Sequence, residues 1–159
     1  MKLLTIAAFL AVVASTAFAQ PFGAGNPPEA VRGQCQANSI VAGKFGLATC
    51  IMIPAAGGPG VAAVPEAKLL VIEDITIRCQ TSPNDGLEAV SLVAGGYFRA
   101  MTPEPRGISN NKLMHVGSYL SRMYAGPGTD VKFTMEYLAN VTAPAWCSLA
   151  FTGHYLDLK

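Results

Sequence analysis

Residues 131–137 alternate without a fault: Val131, Phe133, Met135 and Tyr137 are apolar, and Lys132, Thr134 and Glu136 between them are polar. Successive side chains of an extended strand point to opposite faces, so this period of two describes a half-buried strand and excludes a helix. Lys68–Cys79 repeats the pattern with one flaw. Leu69, Val71, Ile75, Ile77 and Cys79 form the apolar set, Asp74, Thr76 and Arg78 face away from it, and Glu73 stands as a lone charge among the apolar positions. A last strand over Trp146–Leu158 puts Cys147, Leu149, Phe151 and Tyr155 on one face, with Gly153 marking a bulge.

Turn chemistry separates these runs. Thr81–Gly86 and Ala125–Asp130 are dense in Gly, Pro, Asn and Asp, which supply left-handed and pre-bent geometry. Ser39–Lys44 and Leu47–Ile53 read as a first hairpin and Leu87–Phe98 as one strand. Thr102–Asn111, with Pro103 and Pro105, reads as a loop, and Leu113–Tyr124 as one or two strands interrupted near Gly117. No window carries a capped amphipathic helix. Short strands punctuated by turns are what an antiparallel sandwich or a closed barrel requires.

The N-terminus reads as an export leader. Lys2 supplies the charge, Leu3–Ala14 the apolar stretch, and Ala17-Phe18-Ala19 the small-x-small site, so cleavage falls before Gln20. The chain is then divided into a signal peptide (1–19), an extended arm (20–33) rich in Pro, Gly, Asn and Ala, and one β domain (34–159). The expected location is secreted or periplasmic, with no membrane insertion once the leader is removed. Four cysteines in an oxidising compartment read as two disulfides, with Cys35–Cys50 and Cys79–Cys147 favoured among three connectivities. No C-x-x-C or H-x-x-x-H spacing supports a metal site, and no cofactor is expected. Without Lys2 the remaining Lys and Arg number ten, equal to the ten Asp and Glu. A neutral chain without a basic cluster lacks the footprint of a nucleic-acid binder. The partners expected are a neutral ligand, such as a glycan, or another protein.

Val64-Pro-Glu-Ala-Lys-Leu-Leu-Val-Ile-Glu73, the turn Tyr124–Val131 and the closing Phe151-Thr-Gly-His-Tyr-Leu-Asp157 resemble segments of a group of small exported bacterial proteins of unknown function. In that group a "PxGKxLVIE"-like strand opens a jelly-roll-like sandwich and a "GYLVD"-like strand closes it. The chain departs at Glu66-Ala67, where a glycine is expected before the lysine. The resemblance implies the fold and carries no activity. The expected fold is therefore an all-β, jelly-roll-like antiparallel sandwich of about seven or eight strands.

Residues able to do chemistry are few. There is no Gly-x-Ser-x-Gly element for a serine hydrolase. His115 and His154 could meet only through the fold, as two ligands of a metal. Glu73, if inward, would be an acid for polysaccharide hydrolysis or a buried partner of a Lys or Arg; Asp74 would face the other way and could not assist it. Trp146, by strand parity, sits on the solvent face, and Tyr97 and Tyr119 could extend it into a ligand platform. The leading expectation is a non-enzymatic binding protein. The alternatives are a hydrolase using Glu73, or an assembly protein whose arm adds to a neighbour's sheet.

Overall fold

The computed structural model describes residues 29–39, 45–138 and 142–159, and their regular elements are all strands. They are β1 (Glu29–Ser39), β2 (Phe45–Thr49), β3 (Ile51–Pro54), β4 (Lys68–Thr81), β5 (Leu87–Ala94), β6 (Tyr97–Met101), β7 (Glu104–Ser109), β8 (Lys112–Ala125), β9 (Val131–Tyr137) and β10 (Ala145–Asp157). The pairings are antiparallel. One sheet has the order β3-β1-β10-β4-β8-β7 and the other β2-β9-β5-β6. With the edge strands β3 and β7 set aside, each sheet has four strands, β1-β10-β4-β8 and β2-β9-β5-β6. The chain then passes between the sheets in the doubly wound order of a jelly roll. The expected antiparallel sandwich is what forms, rather than the alternative closed barrel; among the described residues it has ten strands instead of about seven or eight.

The core is the set of inward residues that alternation selects. Leu149 and Phe151 of β10 and Ile75 and Ile77 of β4 face Leu92 of β5 and Phe133 and Met135 of β9. Each such side chain contributes about 1.5–3 kcal/mol by leaving water. Cys79 and Cys147 stand directly opposite each other on β4 and β10 and are bonded, with Cα atoms 4.1 Å apart. Cys50, the one residue between β2 and β3, is bonded to Cys35 of β1, with Cα atoms 4.3 Å apart. That bridge lies where the chain crosses from one sheet to the other.

Several boundaries differ from expectation. The expected second run of the first hairpin, Leu47–Ile53, falls in two strands of different sheets, since β2 pairs with β9 and β3 with β1; residues 40–44 of the expected first run lie outside the described residues. Leu87–Phe98 is not one strand but the start of a hairpin. Gly95 and Gly96, with φ of 57° and 82°, turn β5 into β6 in the left-handed geometry that two-residue loops demand. Asn110 and Asn111, at 50° and 56°, do the same between β7 and β8. Thr102–Asn111 is therefore largely a strand, with Pro105 tolerated at a register shift on a sheet edge. β8 runs through Gly117 unbroken, and the Tyr119 ring covers the glycine. Of the expected arm, residues 20–28 and the leader lie outside the described residues. Glu29–Gly33 form the first half of β1 and are hydrogen-bonded into the sheet.

Candidate functional site

The largest difference between expectation and structure is at Glu73. β4 carries a bulge there: Ile72 pairs with Gly153 and Asp74 with Thr152, leaving Glu73 unopposed. The extra residue shifts parity, so that Leu70 and Ile72 before it and Ile75 and Ile77 after it all face the core. Glu73 is not an inward acid. Its side chain is half exposed and its Oε2 lies 3.3 Å from His154 Nδ1 on the outer face of β10. Asp74 is on that same face, where its Oδ2 accepts a 3.3 Å hydrogen bond from Thr152 Oγ1. The expectation that the two carboxylates diverge is thus overturned as well. Both stand open to water rather than in the sealed apolar pocket in which a carboxylic acid serves as proton donor.

The histidines do not meet. His115 is buried on the inner face of β8, in the row of Cys79, with Thr81 Oγ1 3.1 Å from its Nε2. Burial lowers its pKa, opposed by a hydrogen bond to the Pro103 carbonyl. Among the described residues no group of three His, Cys, Asp or Glu side chains is placed to hold a metal ion.

The three aromatic residues are not brought together. Trp146 is half-buried on the outer face of the six-stranded sheet, between Asn38 of β1 and Gln80 of β4. Tyr119 lies on the inner face of the same sheet, paired with Ile75 and packed against the core. Tyr97 is exposed on β6, an edge strand of the other sheet. A single platform of Trp146, Tyr97 and Tyr119 does not exist.

What the outer face does carry is a groove, and the register explains it. The outward residues of β10 after Trp146 are small: Ser148, Ala150 and Thr152. Their neighbours are longer. Gln36 and Arg78 flank Ser148, Gln34 and Thr76 flank Ala150, and Arg32 and Asp74 flank Thr152. Cross-strand neighbours on one face stand close enough to touch, so a row of short side chains between taller ones is a trough. Ile51 and Ile53 of β3, paired with Gln34 and Arg32, raise the outer bank. The hollow over Ser148 and Ala150 measures about 570 Å³, and a second of about 220 Å³ continues it towards Thr152. From Trp146 at one end to His154 at the other, eight residues of strand span about 26 Å.

The floor is rigid for reasons visible in the ladder. β10 lies between β1 and β4, and β4 between β10 and β8, so the backbone groups there are bonded on both sides. Lys68 ties the His154 end together, 2.7 Å from Asp157 and 3.5 Å from Glu29. The hydrogen bond to Asp157 is the main cause of its raised pKa.

The chain matches no known family model and no curated protein. Its own residues have to carry the functional argument. Sequence reasoning placed Trp146 on the outer face but missed the groove that runs from it along β10.

Proposed function

We propose that this is a secreted or periplasmic binding protein, without catalysis of its own, that receives an extended saccharide in the groove along β10. The observation that carries this reading is the composition of the trough: a floor of Ser148, Ala150 and Thr152 between amides and hydroxyls from Gln34, Gln36 and Thr76. Such side chains both donate and accept, which suits a ligand covered in hydroxyl groups. A cleft of this size is in the range of small-ligand sites, and its aliphatic bank suits the apolar faces of sugar rings, as does the Trp146 ring one outward position beyond Ser148 on β10. The leader-like N-terminus and the two disulfides support an exported protein. Among the described residues no helix is long and apolar enough to cross a membrane.

The test is a calorimetric titration of the chain lacking residues 1–19 with a panel of linear oligosaccharides, neutral and acidic. At least one is expected to bind, and Ala150→Tyr, which fills the trough at its centre, is expected to abolish that binding while the thermal transition is retained. Binding untouched by Ala150→Tyr, or no binding across the panel, overturns the reading.

A further inference from the structure

The equal numbers of acidic and basic residues outside the leader point to a neutral ligand, but the charge in the groove is not balanced. Arg32 and Arg78 both belong to the outer face, on opposite banks of the trough, beside Thr152 and Ser148 respectively. All ten Asp and Glu of the chain lie in the described residues, and neither arginine forms an ion pair with any of them. Among the described residues Lys68, Arg106 and Lys132 each have a carboxylate partner, while Arg99, Arg122 and Lys112, which do not line the groove, have none.

The two arginines are not equivalent. Asp74 shares the row of Arg32, two strands or about 10 Å away, and is therefore nearer to Arg32 than to Arg78. Arg78 is four residues further along β4 than Asp74, about 13 Å away. Around Arg78 stand Gln36, Gln80 and Ser148, with Trp146 two residues along β10. A guanidinium whose donors have no partner among the described residues matches a carboxylate in a planar, two-bonded arrangement, and the amides and hydroxyl beside it match ring hydroxyls.

We propose that the groove takes an acidic polysaccharide, with the carboxylate of a uronic acid residue seated on Arg78 and its ring towards Trp146. This rests on reading the groove as a saccharide site. An acidic peptide fits less well. Extended peptides gain affinity by pairing their backbone with a free sheet edge, and along this floor β10 and β4 already have strands on both sides. A saccharide needs only side chains, and side chains are what the trough offers.

The experiment compares linear oligogalacturonate with a neutral oligosaccharide of equal length, cellohexaose, by calorimetry at low and high salt. Oligogalacturonate is expected to bind about tenfold more tightly or better at low salt, in line with a charge-assisted hydrogen-bonded pair, and to lose that advantage at high salt. Arg78→Gln is expected to remove the preference, so that the two sugars bind alike. Arg78→Lys should retain part of it, and Arg32→Gln most of it. Equal affinity for the two sugars, or a preference that survives Arg78→Gln, overturns the acidic ligand and leaves the saccharide groove standing. Poly-glutamate binding as tightly as oligogalacturonate, and sensitive to Arg78→Gln, replaces the saccharide by a peptide and overturns the proposal. Failure of both sugars removes the groove reading together with this one.

Discussion

Gly153 packs against the carbonyl of Val71, with no space for a side chain between them. This close approach sits at the register shift that leaves Glu73 unopposed and turns it to the surface. A Cβ at position 153 would have to displace strand backbone rather than a flexible side chain, so the bulge depends on glycine here. Gly153→Ala is expected to destabilise the fold by about 1–3 kcal/mol in urea titrations, as steric conflict in a packed interior does. Glu73→Gln should stay within about 0.5 kcal/mol, since the side chain is a surface one. A large loss for Glu73→Gln with none for Gly153→Ala would mean that the bulge is misplaced.

Ala67 has φ of 58°, a left-handed conformation that costs an L-residue roughly 1–2 kcal/mol. Ala67→Gly is expected to raise stability by about 1 kcal/mol, an upward shift of several degrees in the thermal midpoint, offset in part by the greater entropy of glycine in the unfolded chain. An unchanged or lowered midpoint would contradict the left-handed geometry.

The two disulfides differ in what their loss should do. Cys79–Cys147 closes 68 residues and Cys35–Cys50 closes 15, so chain entropy assigns them about 4 and 3 kcal/mol respectively. Replacing Cys79 and Cys147 together by alanine should cost about 2–5 kcal/mol and widen the unfolding transition little. Replacing Cys35 and Cys50 should cost less overall, yet free the crossing that leads into β3 and so loosen the bank formed by Ile51 and Ile53. Hydrogen exchange at β3 is the measurement, and equal protection in both variants would count against this division.

The buried His115 predicts a pH dependence. Desolvation depresses its pKa in the folded protein, so the unfolded chain, with a value near 6.5, takes up the proton first. The stability contributed by the neutral ring is fully present above about pH 6.5 and is lost as pH falls from there through the lowered folded value. The groups facing the ring are the Thr81 hydroxyl and the Pro103 carbonyl, neither of which titrates. Unfolding free energy measured between pH 7.5 and 5 should therefore fall, and His115→Gln should flatten that slope. A slope unchanged by the substitution would place its origin elsewhere.

Most of the fold could be read from alternation, and the failures have local causes. β9 keeps strict period two from end to end, so its bounds and faces follow directly. β4 does not, because one bulge residue reverses parity, and a lone Glu among apolar residues looks the same whether it is buried or expelled. The Gly95-Gly96 and Asn110-Asn111 pairs were the available signals for two hairpins, masked by the apolar run before one and the prolines before the other. The groove had no signal in any single strand. Ser148, Ala150 and Thr152 become a trough only beside Gln34, Gln36, Thr76 and Arg78, and that adjacency is set by the register of β1 and β4 against β10.

The central claim is that the outer face of β10 is where this protein meets its ligand. Backbone amide spectra of the isotope-labelled protein, recorded during titration with oligogalacturonate, test it most directly. The account predicts saturable shifts that cluster at Gln34, Gln36, Thr76, Arg78, Ser148 and Ala150, with the Trp146 indole signal moving in step. Shifts confined to the four-stranded sheet or to the β6 and β7 edges, with those six residues still, would contradict it.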